Sequence, residues 1–525
     1  MLNKIKNSIN KFLIFSSIIE IVVFFDFNTL WATFILLLGW FILNEFILTN
    51  KVMYKYPVSF LMLFGLSLFH FVFPIPLTLI ELKPVTYNLQ MPFETFLHHG
   101  LFVITIVFTH LIYQKSTQRT NPFRLILKST IFYEKPSSTI IWISSLLALS
   151  FSYYFYIIYG AWENYTEKNI FITIGQSLTI FLWMPVIIPF YKVRNVDFKL
   201  SSKTKYYIFG YSLLVIIIAI VSNWRTILYS GIIIFLSVYM IGLLYGHYRL
   251  KNNLFSSKII GIGISVYIFL GPIMDLGIAM VITRQTRYNT NSSDFLENTL
   301  ETFNNKEKLQ KFRETVSKIG NGHYSINRWD ENYLDNYFFN RYCNLKISDN
   351  CIYYADKLGY SNPKMQDVLV DQISSYVPSA ITNVIGVESK TRNEEFQSSI
   401  TDNLYSLAIN DETVKGSSII GSMPGVGLSI FGYWYLIIII PIFLVIFMMF
   451  DSFAYVANNR IHFSYYFFTL IVIVFNFFND RHVYNFELRW ILRNYIESII
   501  LFLLVYSILR KIEKIFLKKK TCNNI

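Results

Sequence analysis

Apolar runs close to 20 residues long recur from Phe12 to Leu509, and no other feature constrains the fold of this chain as strongly. A run of that length crosses the hydrocarbon core of a bilayer as one helix. The sequence therefore predicts an all-α polytopic membrane protein and excludes an ordinary soluble globule. We expect about twelve transmembrane helices, over residues 12–27, 29–48, 57–80, 96–113, 138–160, 170–190, 206–222, 226–246, 259–282, 423–449, 463–478 and 491–509.

The charge distribution predicts the orientation of these spans. The chain carries a net charge of +13, yet residues 283–418, called the polar segment below, contain 15 Lys/Arg and 18 Asp/Glu. The remaining 31 Lys/Arg and 15 Asp/Glu give a net +16. With the N-terminus in the cytoplasm, 25 of these 31 basic residues lie on the inner side, as the positive-inside rule requires. Both termini are thus expected to be cytoplasmic and the polar segment extracytoplasmic, and the basic balance indicates no nucleic-acid partner.

The spans divide the chain into three parts. Residues 1–282 form a transmembrane bundle of nine spans, 283–418 a large loop domain, and 419–525 three further spans with a basic cytoplasmic tail. The polar segment has 136 residues, which is enough for a small domain. Apolar residues at helical spacing run from Leu296 to Ile319, and a second helix is predicted over 365–377. We therefore expect a helical domain over the outer mouth of the bundle.

Two cysteines fall together in the polar segment. Cys343 and Cys351 would lie on the oxidising side of the membrane, whereas Cys522 lies in the predicted cytoplasmic tail. A disulfide between Cys343 and Cys351 is therefore predicted. Two separate thiols remain the alternative, because sequence spacing does not show that two sulfurs meet.

Arginines cluster on the predicted outer side, where the positive-inside rule disfavours them. Guanidinium groups bind phosphate or carboxylate bidentately, so the cluster indicates an anionic ligand. The alternative is that these side chains anchor the spans to lipid headgroups or pair with loop carboxylates such as Asp480 and Glu487. The six arginines are Arg225, Arg284, Arg287, Arg481, Arg489 and Arg493.

Other polar groups are expected to be structural. Glu20 and Asp275 lie within predicted spans, and since each is alone there, we expect pairing or protonation rather than a proton relay. Asp26, in the first outer turn, is expected to cap a helix. The histidines lack ligand spacing, so no metal site is predicted. The run Gly421–Gly427 opens span ten, either as irregular backbone that lines a cavity or as a plain helix start.

In layout the chain resembles the bacterial repeat-unit polymerases of O-antigen and capsule synthesis and, more distantly, the O-antigen ligases. The resemblance consists of about twelve spans, a large outer loop between spans nine and ten, and a polar-to-arginine step before a Leu/Ile-rich span at Ser222-Asn-Trp-Arg225. In the loop, Tyr376-Val-Pro378 is followed by Lys390 and by the glycine run, although Ser379 stands where such proteins often have arginine. Arg341 matches another recurring loop arginine.

This resemblance implies glycosyl transfer at the outer face of the bacterial cytoplasmic (inner) membrane, with an undecaprenyl-diphosphate-linked oligosaccharide as substrate. The six outer arginines, with Arg341 and Lys390, would hold the diphosphate, and neither a metal nor a cofactor is expected. The candidate bases for the acceptor hydroxyl are Asp480, His482, Glu487 and His323. A chain-length regulator and a flippase are the protein partners that such a polymerase implies.

Three other functions remain open from the sequence. An O-antigen ligase-type transferase would use the same donor chemistry. A transporter of polysaccharide or lipid-linked oligosaccharide, which is not an enzyme, would use Glu20 and Asp275 for coupling, but no internal repeat is visible. Another lipid-dependent glycosyltransferase or an unrelated envelope assembly protein is the third alternative.

Overall fold

In the computed structural model the described residues form a bundle of helices and a short β-hairpin. It describes residues 2–116, 121–154, 175, 178–195, 201–222, 225–248, 271–272, 275–283, 292–320, 329–336, 339–340, 343–377, 398–417, 419–457, 460–478 and 483–522. The bundle helices are Leu2–Val23, Phe27–Phe46, Asn50–Lys55, Pro57–Leu66, Pro74–Ile80, Pro92–Ser116, Pro122–Lys128, Ser138–Tyr153, Ser202–Val221, Arg225–Leu244, Met423–Phe431, Tyr435–Asp451, Tyr465–Thr469, Ile471–Phe475, Tyr484–Arg489 and Tyr495–Cys522. The polar segment contributes Ser292–Asn304, Lys306–Gly320, Lys346–Leu358, Pro363–Tyr376 and Ile400–Ile409.

Six helical stretches among the described residues are long and apolar enough to cross a membrane. A seventh is added if the bent pair Pro57–Val72 and Pro74–Ile80 is one span. All seven coincide with predicted spans, so the helical membrane character is confirmed. The six are Phe27–Phe46, Pro92–Ser116, Ser202–Val221, Ile227–Leu244, Met423–Asp451 and Phe486–Ile515.

Besides the bent pair, two predicted spans consist only of short helical pieces in the described residues. Within 170–190 the described residues form short 3₁₀ turns, because Pro185 and Pro189 remove backbone donors and block a regular helix. Span eleven is split at Leu470 into two five-residue helices, Tyr465–Thr469 and Ile471–Phe475. Most of their side chains are buried, and non-helical backbone is tolerated at membrane depth where protein surrounds it.

The remaining predicted spans are only partly tested. Span one forms the helix Leu2–Val23, which carries too many charges to pass as a membrane span, and span five forms the shorter apolar helix Ser138–Tyr153. Most of span nine lies outside the described residues. The twelve-span arrangement therefore stays a prediction.

The polar segment is attached to the bundle through residues 81–91, called the docking loop below. Glu81 accepts hydrogen bonds from the backbone N–H groups of Asp335 and Asn336, both at 2.8 Å. In the opposite sense, Asp349 of the polar segment accepts from the N–H groups of Gln90 and Met91, at 2.9 and 2.7 Å. These bonds tie the start of helix Pro92–Ser116 to the polar segment, and we call this end of the bundle the domain end.

Helix Lys346–Leu358, the docking helix below, packs against Met423–Phe431, the glycine helix below. A Cβ atom at Gly425 would lie 2.3 Å from Cβ of Cys351, so only glycine permits this approach of the two backbones. The chain after the docking helix also bonds to the glycine helix, since the N–H of Ser361 donates to Leu428 O at 3.1 Å. The glycine run is thus a regular helix that makes a close contact.

The opposite end of the bundle is organised around Asp451, the last residue of helix Tyr435–Asp451. Its buried carboxylate accepts from the N–H groups of Val58 and Ser59 at 2.8 and 2.9 Å and from the Tyr113 hydroxyl at 3.0 Å. The chain then forms an antiparallel hairpin of strands Ala454–Ala457 and Arg460–Phe463. We call this the hairpin end.

Candidate functional site

A partly open cavity lies near the domain end, where the docking helix, the glycine helix and five bundle segments meet. Its volume is about 20 Å³, which is room for about one water molecule or one hydroxyl group. His99 in its lining is seven residues from the start of helix Pro92–Ser116, or about 10 Å along the axis at 1.5 Å per residue. The lining residues are His70, His99, Phe102, Ser348, Met423, Pro424, Phe443, Phe477, Phe478 and Glu487.

Glu487 places a carboxylate in this cavity. It lies on the short helix Tyr484–Arg489 and is 1% exposed. Its Oε2 atom has no hydrogen-bond partner among the described residues. Burying an ionisable group without partners is unfavourable, and in natural structures such a group is commonly functional. Of the four predicted bases, only Glu487 is among the described residues, and it lies in a defined cavity.

Two histidines line the cavity with Glu487. The His70 and His99 rings stack with centroids 5.2 Å apart, and Nε2–H of His99 donates to the backbone carbonyl of His70 at 3.3 Å. That bond fixes the proton of His99 on Nε2. The buried Nε2 atom of His70 has no partner in the described part of the chain. Two unpartnered polar atoms, one on His70 and one on Glu487, thus belong to residues of the same cavity.

The helices that carry these side chains are irregular at the cavity. His70 lies in a π-helical turn, Ser67–Val72, and a second π-helical turn, Trp490–Asn494, directly follows the Glu487 helix. π-Turns are rare and occur frequently at functional sites. Each π-turn contains about one residue more than an α-helical turn. It therefore changes which side chains of the helix face inward. The two irregularities therefore support the cavity as the candidate site.

Two of the predicted substrate-binding arginines lie just beyond Glu487. The guanidinium carbon of Arg489 lies 5.9 Å from the ring centroid of Tyr376, the last residue of helix Pro363–Tyr376 in the polar segment. Arg493 donates from Nε to Glu497 at 2.7 Å. Both partners of this pair are substantially exposed, so the pair is weak and an anionic ligand can replace Glu497.

The structure leaves most of the other predicted site residues untested. Arg225 begins the helix Arg225–Leu244, and its side chain is outside the described part. Eight further residues lie wholly outside the described residues, so their roles stay predictions. They are Arg284, Arg287, His323, Arg341, Lys390, Asp480, Arg481 and His482.

The predicted disulfide between Cys343 and Cys351 is not present. Both residues are buried thiols. The Cys343 thiol donates to Phe339 O at 3.3 Å, whereas Cys351 faces the glycine helix and accepts from the N–H of Ser422 at 3.3 Å. Burial raises the pKa of the Cys343 thiol, which keeps it protonated. The prediction is wrong because each cysteine packs into a different interface.

The carboxylates within the predicted spans have structural contacts. Glu20 is fully buried and accepts from the N–H of Val85 in the docking loop at 2.7 Å. Asp275 pairs with Arg313 of helix Lys306–Gly320. Asp26 caps helix Phe27–Phe46 by accepting from the N–H groups of Asn28 and Thr29. The expected structural roles of Asp26 and Asp275 are confirmed, whereas Glu20 keeps its Oε2 atom without a hydrogen-bond partner among the described residues.

The sequence interpretation did not select His70 or His99 for this site. The available signal was His70 inside the apolar run Leu68-Phe-His70-Phe-Val72, since an ionisable side chain at membrane depth indicates function. Metal-ligand spacing, the criterion applied to the histidines, does not detect such a pair. In the described residues, no group of three or more His, Cys, Asp or Glu side chains is arranged to hold a metal ion.

Comparison with known proteins does not place the chain in a family. No protein-family model matches the chain, and neither the curated proteins nor the solved structures contain a match.

Proposed function

We propose that the protein is an integral membrane glycosyltransferase that polymerises oligosaccharide repeat units of a surface polysaccharide, a capsule or the O-antigen of lipopolysaccharide. The donor would be an undecaprenyl-diphosphate-linked oligosaccharide at the outer face of the bacterial inner membrane. The observation that carries this proposal is the buried Glu487, with an unpartnered oxygen, in a cavity at the end of the bundle where the polar segment docks. With both termini cytoplasmic, that end faces outward.

The depth of the cavity suits a lipid-linked substrate. A polyprenyl carrier keeps its tail in the bilayer and its diphosphate at the interface, which is where a cavity about 10 Å from a helix start would lie. Arg489, beside Tyr376, is near Glu487 on the same short helix. A sugar joined to that diphosphate would extend towards the polar segment. The acceptor and donor could then meet between the bundle and this domain.

In the proposed reaction Glu487 is the general base. It takes the proton of an acceptor hydroxyl as the hydroxyl oxygen attacks the anomeric carbon of the donor. The bond between that carbon and the diphosphate oxygen breaks, and the lipid diphosphate leaves with its electron pair. Arg489 and the other outer arginines would stabilise the growing negative charge, as positioned cations do in phosphoryl and glycosyl transfer. No step needs a group beyond the two substrates and these side chains.

His70 and His99 have a supporting role in this scheme. Neutral imidazoles lining the cavity can accept or donate a hydrogen bond to a bound hydroxyl without adding charge. The unpartnered Nε2 of His70 is available for such a bond. The transporter alternative is less well supported, because Asp275, one of its two coupling candidates, pairs with Arg313.

The test replaces Glu487 in a host strain that lacks the chromosomal copy. We expect Glu487→Gln to lower polymer formation by about 10²-fold or more, since a general base contributes about 10²–10⁴ in rate. The readout is polysaccharide chain length on a gel, with protein level measured in parallel. The matched control is Glu412→Gln, which removes a carboxylate that is 87% exposed in the polar segment.

Two outcomes would count against the proposal. Full-length polymer from Glu487→Gln at normal protein level would remove Glu487 as the base. Normal polysaccharide in the strain without the protein would remove the polymerase function itself. A ligase would instead leave complete polymer on its lipid carrier in the deletion strain, and the gel distinguishes this from single unpolymerised units.

A further inference from the structure

A group of positively charged residues lies at the hairpin end, separate from the cavity. Four exposed cations lie on three different chain segments there: Lys128, Lys135, Lys192 and Arg460. None of them forms an ion pair with another described residue. The nearby carboxylate of Glu134 is already engaged by Arg510. We call these four side chains the hairpin cluster.

Hydrogen bonds fix the three segments of the hairpin cluster against one another. Asn195 donates from its side chain to Ile461 O in the hairpin at 2.8 Å. Its own carbonyl accepts from Lys135. Buried Arg194 donates to Pro136 O at 3.0 Å. The backbone segments that carry the four cations are therefore held next to one another.

Aromatic contacts add to this arrangement. Tyr455 and His462 are cross-strand partners in the hairpin, and their rings stack at 4.9 Å. The Lys128 ammonium lies 5.8 Å from the Tyr455 ring centroid. Burial, together with the nearby Lys135 and Arg460, lowers the pKa of His462, which agrees with a region of uncompensated positive charge. An anion would relieve that repulsion.

Apolar side chains surround the cations on the same surface. Leu125 and Ile126, on the short helix Pro122–Lys128, are 54% and 66% exposed, and Val456 in the hairpin is 43% exposed. The hairpin directly follows the membrane-crossing stretch Met423–Asp451. Exposed aliphatic groups beside unpaired cations at the end of a span are typical of a surface that contacts acyl chains and headgroups together.

We propose that the hairpin cluster binds the phosphate of an anionic phospholipid headgroup. The cations of the hairpin cluster would bind the phosphate, while Leu125, Ile126 and Val456 contact the acyl chains near the headgroup. This inference does not depend on the reaction proposed for Glu487, because the two sites lie at opposite ends of the bundle. Failure of one leaves the other standing.

The experiment measures lipid binding to the purified full-length protein in neutral detergent. Native mass spectrometry and thermal shift are recorded with phosphatidylglycerol, with phosphatidylethanolamine and with inorganic phosphate. We expect phosphatidylglycerol to bind and stabilise the wild type more strongly than either other probe. The double variant Lys192→Gln, Arg460→Gln should bind phosphatidylglycerol about tenfold more weakly, since each cation near an anionic lipid contributes appreciably.

The control is the double variant Lys203→Gln, Lys205→Gln, which removes two exposed lysines from the start of helix Ser202–Val221. Its phosphatidylglycerol affinity should stay within about twofold of the wild type. An equal loss of phosphatidylglycerol affinity in this control would show that general surface charge causes the effect, and the proposed site would then be wrong. Equal stabilisation by inorganic phosphate or by phosphatidylethanolamine would overturn the assignment to an anionic lipid. Thermal unfolding without added lipid checks that all variants are folded.

Discussion

At the scale of single residues, Glu487 illustrates what a sequence can and cannot reveal. Its position near several outer arginines made it a candidate base and equally a candidate partner for those arginines. The structure buries it in a cavity with His70 and His99 instead. Which way a side chain points on a six-residue helix depends on the π-turn that follows, and no periodicity in the sequence encodes that turn.

The cysteines show the same limitation and allow a direct test. We expect alkylation after denaturation, without reductant, to modify all three cysteines of the chain, because Cys343 and Cys351 are separate thiols. Under native conditions both should be protected, since they are buried. Intact mass measures the number of adducts. A single adduct on the denatured, unreduced protein would show instead that Cys343 and Cys351 form a disulfide.

Substitutions of Arg225 test whether the function requires the bidentate binding of a guanidinium group. If it binds a diphosphate that gains charge during the reaction, Arg225→Lys should lose nearly as much polymer as Arg225→Ala, because a point charge cannot bind bidentately. If Arg225 only anchors its helix to headgroups, lysine should serve about equally well. Polymer length on a gel, with protein level as the control, separates the two roles. Full-length polymer from the alanine variant would exclude Arg225 from the site.

At the scale of elements, apolar length predicted most bundle helices, and helical spacing predicted Pro363–Tyr376 in the polar segment. The docking helix was not predicted, although it organises the domain end. Its apolar residues Ile347, Cys351, Tyr354 and Leu358 recur at helical spacing, so the signal for this helix was present in the sequence. The break of span eleven at Leu470 was not expected, because an apolar run predicts the length of a span and not the place of a break.

The contact between the docking helix and the glycine helix gives a stability prediction. Gly425→Ala would place a Cβ 2.3 Å from Cβ of Cys351, so the two helices must separate, and we expect a loss of about 1–3 kcal/mol in unfolding free energy. Gly210→Ala is the matched control, because a Cβ there meets nothing within 4 Å in helix Ser202–Val221. It should stabilise the protein by about 0.5–1 kcal/mol.

Unfolding in detergent, followed by heat or denaturant, measures both glycine variants against the wild type. Opposite signs for the two substitutions are the expected result. Equal stability of Gly425→Ala and the wild type would show that the docking helix does not approach the glycine helix as closely as the structure places it.

At the scale of the whole molecule, the orientation in the membrane follows from charge and can be measured. A cysteine at Glu307, which is exposed in the polar segment, should react with an impermeant thiol reagent on cells with a permeabilised outer membrane. A cysteine at exposed Lys203 should not. A Cys522→Ser background removes the tail thiol. Reaction at position 203 but not at 307 would invert the orientation, and the proposed reaction would then face the wrong compartment.

The docking loop has a consequence for how the chain is made. Gln90 binds Asp349, which follows 259 residues later. At a synthesis rate of about 5–20 residues per second, the loop exists for roughly 13–50 s before its partner leaves the ribosome. During that interval the N–H groups of Gln90 and Met91 lack their native acceptor. The first half of the bundle therefore lies in the membrane without these hydrogen bonds at first. They form only after the polar segment has been synthesised.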